Sequence, residues 1–114
     1  MTKPDNRQRL RHILEAIDKI EKYLQGFDEN VFRQDEKTLS AVVWQLAVIG
    51  ESVANLTRDL RSANPTIAWQ KISGTRNHLI HGYFSIDFEI VWDTTQNDLP
   101  KLKMEIEKIL ENLS

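Results

Sequence analysis

KTLSAVVWQLAVIGESVANLTRDLRS, Lys37 to Ser62, is the longest stretch of the chain in which apolar residues return every three or four positions. Leu39, Val42, Val43, Leu46, Ile49, Val53 and Leu60 fall along one side of a helix. The spacing predicts a single long helix, closed by SANP with Asn64-Pro65 as the breaker. Trp44, Ala47 and Val48 widen its apolar surface beyond the roughly 100° stripe of a surface helix, so it is expected to meet neighbours on two sides. On the second side Trp44, Val48, Glu51, Asn55 and Arg58 follow one another at steps of three and four. That strip is either a solvated fringe or the seat of a second copy of the chain, which would cover its apolar part.

Working outward, Leu10, Ile13, Leu14, Ile17, Ile20, Leu24 and Phe27 mark an earlier amphipathic helix, with Gly26 as its stop. GFDENVFRQD is read as a polar connection. After the long helix, TIAWQKISGTRNHLIHG predicts a third, shorter helix that Gly82 would end at its C-cap position. Asp87 to about Gln96, and Asp98 to Leu113, complete the set, the last with Asp98 as N-cap and Pro100 in the first turn. No segment alternates with period two for long enough to predict a strand. The expected fold is all-α, an antiparallel bundle of four to five helices that dimerises, with residues 1–114 as one domain.

Composition narrows the function. With 40% hydrophobic and 28% charged residues the chain reads as a helix-rich globular protein. No apolar run approaches the roughly 20 residues of a membrane span. MTKPDNRQRLRH lacks the apolar centre of a secretory signal, which predicts a cytoplasmic location. The absence of cysteine removes disulfides, thiolate nucleophiles and Cys-ligated metal together. The net charge of −2 is uneven: residues 1–82 hold 12 Lys and Arg against 10 Asp and Glu, and residues 83–114 hold 3 against 7. Any nucleic-acid contact must therefore be local, since phosphate affinity needs clustered Lys and Arg. Two groups are candidates: Arg7, Arg9, Arg11 and His12, for which a solvated helix face is the plainer reading, and Arg58, Arg61, Lys71 and Arg76.

The chemistry is concentrated in RNHLIHGYF, where an arginine, an asparagine, two histidines and a tyrosine fall between Arg76 and Tyr83. Continued as a helix, the segment sets Arg76 amid Trp69, Ile72, Leu79 and Ile80. A guanidinium there cannot shed its proton and needs an anion, with Glu51 the candidate within the protein, unless it reaches out to solvent along its stem. Asn77, His78 and His81 lie on the other side. A histidine beside an arginine suffices to cleave RNA without metal: the imidazole takes the 2′-OH proton and the guanidinium stabilises the phosphoryl charge. A second histidine, from a partner copy, could protonate the leaving oxygen. His78 and His81 are also spaced to clasp a metal, but without a third ligand that signal is weak. His12 reads as surface, and Tyr83 as a core aromatic with a wet hydroxyl.

Arg76, His81 and Tyr83 match the pattern RX4HXY, and the chain resembles the HepT-like branch of the HEPN superfamily. VIGESVANL, NPTIAWQKI and FSIDFEIVWDTTQNDLP resemble further blocks of that family in the same order, so the likeness runs from the first helix to Pro100. Ala68, where the family often has proline, and Thr75, where an apolar residue often stands, depart from it. The resemblance implies a dimeric, metal-independent ribonuclease that needs no cofactor, acts on RNA such as tRNA, and forms the toxin of a HepT/MntA pair. It implies that Arg76 and His81 are catalytic, with Asn77 beside them; Glu51 matches the family's glutamate, and its supporting role, like that of His78, is read from the residues themselves. It further implies that a minimal nucleotidyltransferase antitoxin adds AMP to Tyr83, whose charge and bulk would keep phosphate away from His81. The alternative is a non-enzymatic HEPN module that binds a nucleotide or its nucleotidyltransferase partner.

Overall fold

The computed structural model describes residues 5–74, 80–81 and 85–113, with 80, 81 and 85 described in their backbone alone. In chain order the elements are α1 (Asn6–Tyr23), α2 (Glu29–Gln34), α3 (Glu36–Ala54), α4 (Arg58–Ala63) and α5 (Trp69–Ser73). A two-residue antiparallel pair, β1 (Ile80–His81) with β2 (Ser85–Ile86), follows. Then come α6 (Phe88–Asp93), a π-helical turn (Thr94–Asp98) and α7 (Leu99–Asn112). The fold is all-α, as expected.

Local chemistry fixes each helix start. Asp5 opens α1 with a reciprocal cap: its carboxylate accepts from the Gln8 backbone at 2.9 Å, while the Gln8 side chain accepts from the Asp5 backbone at 3.0 Å. Asp28, Asp35 and Asp87 cap α2, α3 and α6 in the simpler way, each accepting from a backbone N–H three residues on. Gly26, at φ +81°, turns the chain after α1 in a conformation that side-chain-bearing residues rarely adopt.

Several expectations are corrected. The polar connection after α1 contains a helix of its own, because Asp28 caps it and Phe32 anchors it in the core. The long helix is not continuous to Ser62; it stops at Ala54 and restarts at Arg58. The break is held from outside: Asn6 donates to the Thr57 hydroxyl at 2.9 Å and accepts from the Thr57 backbone at 3.1 Å, while that hydroxyl caps α4. The third helix ends at Ser73, well short of Gly82, where the Gly74 N–H donates to the Gln70 carbonyl at 2.9 Å. Ile80 and His81, read as helical, lie instead in the short strand pair, Ile80 opposite Ile86 and His81 opposite Ser85. Gly82 lies outside the described residues. Asp98 does not cap α7, since it is itself helical; its carboxylate pairs with Lys71 at 3.5 Å. The chain runs helically from Phe88 to Asn112 and absorbs Pro100 by a π turn, in which the Leu99 N–H reaches Thr94.

The long helices pack antiparallel. The start of α1 meets the end of α3 through the Asn6–Thr57 pair, and Arg7 near that same start donates to the carbonyl of Leu113 beyond α7. At the other end Lys103 of α7 reaches Glu21 at 3.2 Å and Asp18 at 3.4 Å. Between them lies a core of Leu10, Ile13 and Ile17 from α1, Val42, Leu46 and Ile49 from α3, Val91 from α6 and Ile106 from α7. Each Leu or Ile removed from water contributes about 1.5–3 kcal/mol. Among the described residues no helix is long and apolar enough to cross a membrane.

Candidate active site

Two features of α3 hold α5 in place. Gly50 is buried, and a Cβ there would meet the carbonyl oxygens of Ile72 at 3.3 Å and Ser73 at 3.4 Å. The last turn of α5 thus rests directly on the backbone of α3. From the other end, Trp69 is buried, and its indole N–H is shared between the carbonyls of Arg61 at 3.1 Å and Asn64 at 3.0 Å. Those carbonyls, at the end of α4, each also accept a backbone N–H, Arg61 from Asn64 at 3.1 Å and Asn64 from Ile67 at 3.3 Å, so the indole is tied to a turn that is itself closed. The chain therefore leaves α5 at a fixed place, and two residues after Gly74 it reaches Arg76.

A groove of about 880 Å³ opens at that place. One wall is the outer strip of α3, with Trp44, Val48, Glu51 and Asn55; the facing wall is α1, with Arg9 and His12. Ser73 and Ile86, which flank the histidine-rich segment in the chain, complete the lining. Ile86 is paired through β2 with Ile80, and Ser85 with His81, so the backbone of His81 runs along the strand beside the groove. Trp44 is 68% exposed, although a tryptophan on a helix would ordinarily be turned inward. The long helix therefore packs inward on α1 and α5 while its second apolar side stays uncovered by the described part of this chain.

Of the residues singled out from the sequence, Glu51 is exposed on the groove wall, where its carboxylate accepts from the Asn55 side chain at 3.2 Å. Arg76, Asn77, His78 and Tyr83, and the side chain of His81, lie outside the described residues, and with them the expected pairing of Arg76 with Glu51. The first basic group does not survive as a patch, and the second includes Arg76, which lies outside the described residues. Arg7 is tied to Leu113, Arg9 and His12 enter the groove, and Arg11 is exposed away from it. Lys71 turns toward Asp98 and a separate cavity of about 160 Å³ floored by Leu46, Ile49 and Leu102. Among the described residues no group of three or more His, Cys, Asp or Glu is placed to hold a metal ion.

The groove's α1 wall was missed in the sequence. Arg9 and His12 are one turn apart, but nothing in their spacing distinguishes them from the solvated residues around them; the packing of α1 against α3 does that.

Comparison with known proteins places the chain. The model of the family described as ribonuclease HepT-like matches residues 13–109, which span α1 to α7 and enclose the whole RX4HXY segment. The chain belongs to the HepT-like ribonuclease family. Among its relatives is a protein of Thermococcus cleftensis named "Probable ribonuclease HepT", 36% identical over 107 residues, covering 94% of this chain and 97% of that protein. A protein of Methanocaldococcus jannaschii named "Putative RNase MJ0127" is 38% identical over 113 residues, covering 99% of this chain and 93% of its own length. No solved structure matches the chain. Gly50 and Glu51, singled out as part of the HepT-like resemblance, are the residues that seat α5 and line the groove.

Proposed function

We propose that this HepT-like protein, one HEPN domain throughout, is a metal-independent endoribonuclease and the toxin of a toxin–antitoxin pair. The observation that carries the reading is the coincidence of the family match with the RX4HXY segment, whose flanking residues Ser73 and Ile86 both line the groove shared by α1 and α3. In this mechanism the His81 imidazole removes the proton from a ribose 2′-OH. The oxygen so freed attacks the adjacent phosphorus, and the bond to the 5′-oxygen breaks, leaving a 2′,3′-cyclic phosphate and a 5′-hydroxyl. Arg76 stabilises the charge that gathers on the phosphoryl oxygens as the reaction proceeds. The departing 5′-oxygen takes its proton from a second imidazole, the partner subunit's His81. Asn77, His78 and Glu51 support this pair.

The two copies join along the outer strip of α3, which supplies the apolar surface a second copy needs, with Trp44 as its exposed aromatic residue. The antitoxin is a minimal nucleotidyltransferase that transfers AMP to the Tyr83 hydroxyl. The adduct brings a phosphodiester charge two residues from His81, where it repels the phosphate of the substrate. The protein works in the cytoplasm, and RNA, tRNA included, is its substrate.

The test is incubation of the purified protein with labelled tRNA and total RNA in EDTA. Cleavage is expected to persist in the chelator, to end in cyclic phosphates, and to fall at least a hundredfold in His81→Ala and Arg76→Ala, the loss of one general base or charge stabiliser being worth about 10²–10⁴. Mononucleotide binding without turnover, by an unmodified chain of correct mass, would turn the assignment to a non-enzymatic partner of a nucleotidyltransferase.

A further inference from the structure

The other side of α3 borders a different cavity. At about 100° per residue, Leu46 and Ile49 point away from Trp44 and Val48, and they floor a space of about 160 Å³ apart from the groove. Ile67, Leu99 and Leu102, all buried, complete the apolar floor. An apolar space of about 150 Å³ takes a body the size of benzene, larger than the isobutyl group of leucine. The same lining carries four charges. Lys71 of α5 and Asp98 of the π turn pair with each other at 3.5 Å. Lys101 and Glu105 stand one turn apart on α7, a spacing of about 5–6 Å between Cβ atoms that lets opposite charges meet. They do not meet: among the described residues neither side chain has an ion pair or a hydrogen bond.

We infer that this cavity is a binding site for a free hydrophobic α-amino acid, of which leucine is representative. The ligand's carboxylate meets the Lys101 ammonium, its own ammonium meets the Glu105 carboxylate, and its side chain enters the floor of Leu46, Ile49 and Leu102. Charge complementarity selects this occupant. A fatty acid satisfies Lys101 and sets its carboxylate beside Glu105, an alkylamine does the reverse, and each like-charge contact counts against binding. A peptide holds its two terminal charges too far apart for groups one turn apart on a helix. In an amino acid both charges are borne on one carbon, above a single apolar tail. The site is independent of the ribonuclease reading and lies on the side of α3 away from the strip proposed to seat a second copy.

The experiment titrates the full chain with L-leucine and follows the backbone amide signals by NMR, with isocaproate, isoamylamine and L-serine as comparison ligands. Isocaproate is leucine without its ammonium, isoamylamine is leucine without its carboxylate, and L-serine keeps both charges but lacks the apolar tail. Saturable shifts are expected with L-leucine at the amides of Ala68, Ile72 and Leu102, which belong to the cavity, and none at Trp44 or Val48 in the groove. Each comparison ligand should bind about tenfold more weakly, the worth of one charged hydrogen bond or one buried side chain. The variants give a crossed pattern. Lys101→Gln should weaken L-leucine about tenfold and strengthen isoamylamine, whereas Glu105→Gln should weaken L-leucine and strengthen isocaproate. Lys108→Gln, also on α7 but outside the lining, should change nothing. Absence of saturable shifts with L-leucine, L-valine and L-phenylalanine alike would overturn the assignment. So would isocaproate or isoamylamine binding as tightly as L-leucine, which would make the cavity a site for apolar bodies of any charge. Binding that both Lys101→Gln and Glu105→Gln leave unchanged, or shifts confined to the groove, would place the ligand elsewhere and equally sink the inference.

Discussion

Gly50 carries the tightest steric requirement near the groove. In a helix interior glycine costs about 1 kcal/mol relative to alanine. Gly50→Ala would recover that, but its Cβ would stand 3.3 Å from the Ile72 carbonyl and 3.4 Å from that of Ser73, so α5 must yield by a few tenths of an ångström. The two effects oppose each other in stability and do not in function. The melting temperature should move little, while RNA cleavage falls about tenfold because the displacement is delivered to the element that leads into Arg76. Trp69 offers the complementary case: Trp69→Phe keeps the ring in the core and loses the indole's hydrogen bonds to the Arg61 and Asn64 carbonyls, each of which keeps a backbone donor, and should cost about 0.5–1.5 kcal/mol in a denaturant titration. Asp35 brings in pH. The Thr38 backbone N–H that donates to its carboxylate holds its pKa below the ordinary value. Its contribution is complete above the unfolded value of about 3.9 and is lost as pH falls through the lower folded one. Asp35→Asn keeps a cap but not the charge. The stability difference between wild type and this variant should therefore close on acidification below about pH 4, as thermal melts at several pH values would record.

At the scale of elements, the periodic apolar residues located α1, the body of α3 and α7, because long amphipathic helices state their inner face in sequence. Short elements do not repeat often enough to do so. α2 has six residues and one deeply buried side chain, Phe32, whose ring packs 5.3 Å from Phe88 and 5.9 Å from Trp92, centre to centre. Phe32→Ala should cost about 3–5 kcal/mol and remove the helix with it, visible as loss of amide protection over Glu29–Gln34. The division of α3 from α4 was illegible for a different reason. Its determinant is Asn6, half a chain away, and a local window through Leu56 and Thr57 sees only continuing helix. The strand pair was illegible because two residues a side are too few to show a period of two, and Asp98 because its salt bridge to Lys71 depends on how α5 packs. A double-mutant cycle on Asn6 and Thr57 should give a coupling of about 0.5–1.5 kcal/mol, against none for Asn6 with the distant Asp28.

For the whole molecule, the all-α architecture and the family were legible before any coordinates, since both rest on patterns that lie close together in the chain. The groove was not. Its α3 wall could be anticipated as a surplus of apolar residues, but its α1 wall exists only because α1 packs on α3 so that Arg9 and His12 join the lining. Trp44→Glu tests how the assembly uses that surface. At 68% exposure in one copy the substitution should leave folding almost unchanged, yet a charge in the proposed interface should turn dimers into monomers in sedimentation. Cleavage should fall with the dimer if the leaving oxygen draws its proton from the partner subunit's His81.

The clasp between Asn6 and Thr57 has a kinetic consequence. Its two side chains are 51 residues apart, so it can close only after α1 and α3 have already met, and the entropy of that closure falls before any of its hydrogen bonds are gained. Interactions completed this late are absent from the transition state. Thr57→Ala should therefore leave the refolding limb of a chevron plot nearly where it was and raise the unfolding limb, making the junction of α3 and α4 a latch on how long the folded molecule lasts rather than a guide to how it forms.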